Sequence, residues 1–164
     1  MRRWILIGLL LLTGSLLLMA CGNNSSASVR RTVEDAAKAV ESGLNNRNLD
    51  NVEAFFATEA EGANQAGLAE TWGALQRFTE SLTSSDRIQF HSFAVEEVTV
   101  HESDGLARAT YRLHLSVLRG SEVLFGFVAI QDLALTKTPR GWRISGGDAA
   151  QLSEVVGQWP PYSD

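Results

Sequence analysis

Residues Ala107 to Val117 alternate without a break. Ala107, Ala109, Tyr111, Leu113, Leu115 and Val117 fall on one side of an extended chain, and Arg108, Thr110, Arg112, His114 and Ser116 fall on the other. A period of two belongs to a β-strand with one face buried and one in water, so this stretch requires a sheet covered on a single side. The preceding stretch bears on the shape of that sheet. Between residues 87 and 101 the apolar positions change phase: Ile88 and Phe90 are even, Phe93 and Val95 odd, Val98 and Val100 even again. A slip of one residue turns every later side chain to the opposite face. The phase changes predict a β-bulge near His91 to Phe93 and a second irregularity near Glu96-Glu97, and bulges bend a sheet.

Turn residues divide the remainder of this half. Ser103-Asp104-Gly105 leads into the alternating strand, Arg119-Gly120 into a third strand of about residues 122–137, and Thr138-Pro139-Arg140-Gly141 into a short fourth from Trp142 to Ser145. The first half reads as helices. Val33, Ala36, Ala37, Val40 and Leu44 recur at helical spacing, with Thr32 and Asp35 as a capping-box-like start and Asn45-Asn46-Arg47-Asn48 as a stop. Asp50 and Glu53 are placed to cap a short second helix bearing Val52, Phe55 and Phe56, and Leu68, Trp72, Leu75, Phe78 and Leu82 mark a third. Helices followed by a bent meander predict an α+β domain, with N-terminal helices packed on a curved four-stranded antiparallel sheet.

Three features together resemble the NTF2-like (cystatin-like cone) superfamily. They are the segment from Ala39-Val40-Glu41 through Asn48-Leu49-Asp50 into Val52-Glu53-Ala54-Phe55-Phe56-Ala57, the long hairpin strands, and the ending Gly141-Trp142-Arg143-Ile144. The resemblance spans roughly Thr32 to Gly147 and implies a sheet wrapped against helices around a conical pocket, with a homodimer through the outer sheet face. It implies no single activity, because the superfamily holds isomerases, dehydratases, cyclases and members without catalysis.

The residues that could line such a pocket follow from strand parity. The odd positions of the second and third strands offer Tyr111, Phe125, Phe127 and Gln131, and Trp72 and Trp142 join them as aromatic candidates that also suit the core. Asp132 lies within an apolar run and His91 lies at the first phase change, so these are the alternative catalytic candidates, either of which could act as a base inside a desolvated cone. Parity puts Asp132 on the outer face, with Arg108 or Arg112 as its expected partner. No cofactor or metal site is expected. His91, His101 and His114 lack the tight spacing of a ligand set, and no nucleophile elbow, phosphate-cradling loop or Cys-x-x-Cys occurs.

The N-terminus carries a separate message. Met1-Arg2-Arg3 is basic, Trp4 to Ala20 is almost wholly apolar, and the single cysteine of the chain follows at Cys21. A charged start, a greasy middle and a small residue before a polar stretch form an export signal. Leu18-Met19-Ala20-Cys21 resembles the lipobox of bacterial lipoproteins, in which the chain is cut before a cysteine that carries diacylglycerol and often palmitate. The implied organisation is a signal peptide at 1–20, a lipidated flexible tether at 21–31, an NTF2-like domain at 32–148, and a short helix with a Trp159-Pro160-Pro161-Tyr162 tail at 149–164. The expected location is the cell envelope, on the extracytoplasmic side of a bacterial membrane.

Charge narrows the partners. Removing Arg2 and Arg3 from the 14 basic residues leaves 12 against 19 acidic ones, a net charge of −7. Nucleic acid binding needs clustered cations and is not expected. Membrane association should come from lipid on Cys21 rather than from a basic patch. The expected task is binding of a small apolar ligand or an envelope protein without catalysis. The alternatives are a small isomerase- or dehydratase-type enzyme with an ionisable group in the cone, and an assembly module with a filled core.

Overall fold

The computed structural model describes residues 2–58, 61–62 and 65–147, with side chains from Asn24 onward except at 65 and 66. The expected C-terminal helix and the Trp159-Pro160-Pro161-Tyr162 tail lie outside the described residues. In chain order the elements are α1 (Arg2–Asn46), α2 (Asp50–Glu53), α3 (Gln65–Ser81), β1 (Asp86–His101), β2 (Leu106–Arg119), β3 (Glu122–Thr138) and β4 (Gly141–Gly147). The four strands form one antiparallel sheet in sequence order, so three hairpins generate the whole sheet.

Both predicted irregularities of β1 are present. The register with β2 shifts between Phe90 and Ser92 and again between Val95 and Glu97. The extra residues are thus His91 and Glu96. Each bulge returns the apolar side chains to the concave face, where Ile88 and Val95 are buried with Ala107, Ala109, Leu115 and Val117 of β2. The convex face is wet but not wholly polar, since Val128 and Ile130 of β3 are exposed there.

Helix α1 departs from expectation at its start. Thr32 is no cap: it lies inside the helix and its hydroxyl donates to the carbonyl of Ser28 at 3.1 Å. Asp35 accepts from Lys38 one turn on instead of closing a capping box. The backbone is helical through the stretch read as a tether, and Val29 is fully buried in the core with Val33 and Ala36. Spacings of four and seven put these three on one stripe, so tertiary burial extends the packed helix upstream of any local cap signal.

The free edge of β1 would expose unpaired backbone groups, and α1 covers it. Asn45 donates to the Ile88 carbonyl and accepts from the Ile88 N–H, both at 2.9 Å, imitating a strand partner. Glu41 accepts from the Phe90 N–H at 2.8 Å, and the Arg30 guanidinium donates to the Val95 carbonyl. Such cover blocks edge-to-edge pairing with another chain. At the opposite edge Ile144 of β4 accepts from Ala57 N–H at 2.8 Å and donates to the Phe55 carbonyl at 2.9 Å. Phe55 and Phe56 thus serve in the turn beyond α2, where Phe56 bridges to Ile144, rather than in the helix. The cap of α2 also differs from expectation: the Asn48 side chain accepts from Asp50 N–H at 2.8 Å.

The turn out of α1 is held by Arg47, which adopts the left-handed conformation at φ 58°. That backbone is uncommon without glycine, and the side chain holds it by donating to the carbonyls of Leu44 and Asp86. Asp86 is the second element of this corner. Its carboxylate is buried, accepts from Arg119 at 2.9 Å and from the Thr83 N–H and hydroxyl at 2.8 Å. Burial alone would raise its pKa, but the Arg119 guanidinium and the Thr83 donors outweigh it and hold the group below its ordinary value. A carboxylate depressed in the folded state stabilises above its unfolded pKa, and loses that contribution as the pH falls through the folded one. Stability is therefore expected to fall on acidification below about pH 4. Asp86→Asn should be less stable at neutral pH and show a shallower acid loss, as measured by urea unfolding from pH 7 to pH 2.5. Parallel pH profiles in the two proteins would refute the assignment.

Candidate functional site

The helices meet the sheet at two separate cores. In one, Val29, Val33 and Ala36 pack on Ala107, Ala109, Leu135, Trp142 and Ile144. In the other, Leu44, Leu75, Phe78 and Leu82 pack on Ile88 and Val117. Between them the curved sheet stands off from the helices and leaves a cavity of about 140 Å³. Its helical side comes from α1 and α3, including Ala37, Val40 and Leu68, and its sheet side from Phe93, Leu113 and Phe127 among others. Strand parity supplies the sheet wall and helical period supplies the other. The inner faces therefore do not fill the cone.

Among the described residues, three polar side chains reach this cavity: Thr71, Tyr111 and Gln131. Thr71 turns its hydroxyl back onto its own helix, donating to the Gly67 carbonyl at 2.9 Å. Tyr111 and Gln131 are direct cross-strand partners, and the phenol donates to Gln131 Oε1. Burial pushes the phenol well above its ordinary pKa, because the phenolate would be desolvated. Gln131 is buried, and its Nε2 has no hydrogen-bond partner among the described residues. Among the described residues lining the cavity there is no acid, base or histidine apart from the Tyr111 phenol.

The other sequence-selected residues are distributed as follows. Phe127 lines the cavity beside Tyr111 and Gln131, whereas Phe125 packs against the second core. Trp142 is buried in the first core at the α1–β4 contact, and Trp72 is only half-buried on α3, edge-on to Phe56 at 6.0 Å between ring centroids. Neither indole lines the cavity. Trp72 is thus less buried than its place on the apolar stripe implies: it packs edge-on to Phe56, whereas Leu75, Phe78 and Leu82 of the same stripe are buried with Ile88 and Val117.

His91 and Asp132 both lie on the convex face. The bulge that corrects the phase of β1 turns His91 outward, where its Nε2 is 2.9 Å from Ser116 Oγ and its ring lies 4.7 Å from that of His114. Asp132 accepts from the Thr110 hydroxyl at 2.6 Å. The expected arginine partner is corrected by the register: Thr110 is directly opposite Asp132, while Arg112 sits opposite Ile130 and pairs with Glu96 at 2.7 Å. Neither candidate base therefore faces the cavity. Cys21 lies on α1, and its side chain is outside the described set. Among the described residues no group of three potential metal ligands occurs.

Sequence reasoning missed the importance of Phe93, Leu113 and Thr71 in the wall. Leu113 shares the odd face of β2 with Tyr111, so its signal was present. Phe93 depended on the placement of the bulge, and Thr71 on the rotation of α3.

No protein-family model matches the chain, and no curated protein sequence does. Solved structures match in fold. A candidate dehydratase of the NTF2-like family from Streptomyces avermitilis superimposes with a TM-score of 0.52 at 16% identity, covering 71% of this chain and 92% of the other. An NTF2-like protein of unknown function from Shewanella oneidensis matches with a TM-score of 0.44 at 16% identity, covering 71% and 94%. The domain has the NTF2-like α+β cone fold.

Proposed function

We propose that this chain is a lipid-anchored extracytoplasmic protein whose cone binds a small, mostly apolar molecule and does not turn it over. The observation that carries the binding is the cavity itself, about 140 Å³ and walled by aliphatic and aromatic side chains. A cavity of similar volume in another protein, about 150 Å³ and lined by Leu, Ile and Phe, stays dry and takes up benzene. General acid–base catalysis needs a group of suitable pKa within reach of the substrate. The Tyr111 phenol is raised out of that range and donates its hydrogen bond to Gln131 Oε1, while His91 and Asp132 face outward. The likeness to a candidate dehydratase carries the fold and not the chemistry.

The anchor rests on the Leu18-Met19-Ala20-Cys21 motif and the export signal before it. The helix offers a short spacer: eight positions separate Cys21 from the buried Val29, about 12 Å at the rise of an α-helix. The domain would then sit close to the membrane surface.

Binding is tested by melting the full chain with and without toluene. At a concentration about ten times the dissociation constant, the ligand should stabilise by roughly 1.4 kcal/mol. Ala37→Phe, which places a ring in the cavity, should remove the response. An unchanged melting temperature in the parent protein would defeat the binding proposal. Turnover of a substrate that disappears in Tyr111→Phe would establish an enzyme instead.

A further inference from the structure

Building on the ligand-binding cone proposed above, we infer that its ligand carries one neutral carbonyl-type oxygen, received by the side-chain amide of Gln131. Three observations on the lining lead there. Gln131 is 8% exposed, lines the cavity, and leaves Nε2 without a partner among the described residues. A buried donor left unmade costs the full desolvation of that group, so an unpaired amide nitrogen in an apolar wall marks a place that a ligand acceptor completes. The neighbouring polar groups are committed elsewhere: the Tyr111 proton goes to Gln131 Oε1, and the Thr71 proton to the Gly67 carbonyl. Tyr111 therefore orients the amide, its oxygen toward the phenol, and leaves Nε2 as the unpaired donor of a cavity-lining residue.

The same lining sets the charge of the ligand. Among the described residues lining the cavity there is no Lys, Arg or His, so a carboxylate or phosphate would be buried without a counter-ion. A neutral ketone, ester or lactone oxygen accepts from one N–H and leaves no charge unmatched. The volume limits the ligand to about the size of a single ring with a small substituent, by comparison with benzene uptake in a cavity of similar size. The structure thus points to a compact, aprotic carbonyl compound.

The test compares four probes of similar size on the full chain in phosphatidylcholine nanodiscs, with empty discs correcting for partition into lipid. Acetophenone carries the acceptor, ethylbenzene lacks it, benzoate adds a charge, and indole offers a donor alone. Affinities come from the side-chain amide resonance of Gln131, identified by its loss in Gln131→Leu. For the variants, they come from ring resonances of Phe127.

Acetophenone should bind at least roughly tenfold more tightly than ethylbenzene, as one hydrogen bond to a buried donor provides, and should move the amide proton downfield. In the double variant Tyr111→Phe/Gln131→Leu the cavity becomes uniformly apolar. Ethylbenzene should still bind there and the preference for the ketone should vanish. Equal affinity of the parent protein for the two overturns the inference while leaving the apolar cavity standing. Tighter binding of benzoate or indole overturns the class of ligand. Failure of every probe overturns both this inference and the cavity proposal. The parent comparison needs no variant, so a double variant that fails to fold leaves the result decisive.

Discussion

Trp142→Ala is expected to destabilise the domain by about 3–5 kcal/mol, the range for removing a large aromatic side chain from a packed core. The indole is 4% exposed and joins β4 to α1, in the core shared by Val29, Val33 and Ile144. Little can collapse into the vacated space, because Ala36, Ala107 and Ala109 of the same core are too short to fill it. In thermal unfolding the loss corresponds to a fall on the order of 10–20 °C for a domain of this size. Trp72→Ala should cost distinctly less, about half as much, because its ring is half-buried and its edge contact with Phe56 is the main packing removed. A melting temperature of Trp142→Ala within about 2 °C of the parent, or a larger fall in Trp72→Ala, would contradict this ranking.

The second large effect concerns address rather than stability. Cys21→Ser in a bacterial host should abolish incorporation of a fatty-acid label into the chain, and should release or leave uncut a protein that the parent keeps membrane-bound. The reason is chemical: the thioether to diacylglycerol forms only at the thiol, and Cys21 is the only cysteine of the sequence. A single acyl chain binds a membrane reversibly, so stable retention needs more than one. Intact mass of the parent should show cleavage before Cys21 with lipid added. Equal labelling of the parent and Cys21→Ser would remove the lipid anchor from the proposal while leaving the cone and its cavity untouched.

Much of the sheet was legible residue by residue. The phase changes at Phe90–Phe93 and Val95–Val98 located both bulges to within a residue or two, because a strand has only two faces and a slip cannot be hidden. The same parity put Tyr111, Phe127 and Gln131 on the inner side and Asp132 on the outer one. The helical half was less transparent. Thr32 looks like a cap, and Asn45 looks like a helix breaker. In the folded domain Thr32 is an interior residue bonded to Ser28, and Asn45 is a surrogate strand for Ile88. A polar side chain can satisfy its own helix end or a distant backbone group, and local sequence does not distinguish them.

What the sequence alone determined is therefore periodic: the α+β order, the inner and outer faces of the strands, and the bend in β1. Each is set by covalent neighbours at fixed spacing, so the pattern can be read before the chain is folded. The tertiary structure alone decided the rest. It turned His91 outward to Ser116, gave Asp132 to Thr110 rather than to an arginine, covered the β1 edge with Asn45 and Glu41, and left a void between two cores with Gln131 Nε2 in its wall unpaired among the described residues. Partners and voids depend on distances between elements far apart in sequence, set by how curvature, register and side-chain volume combine when the helices close on the sheet.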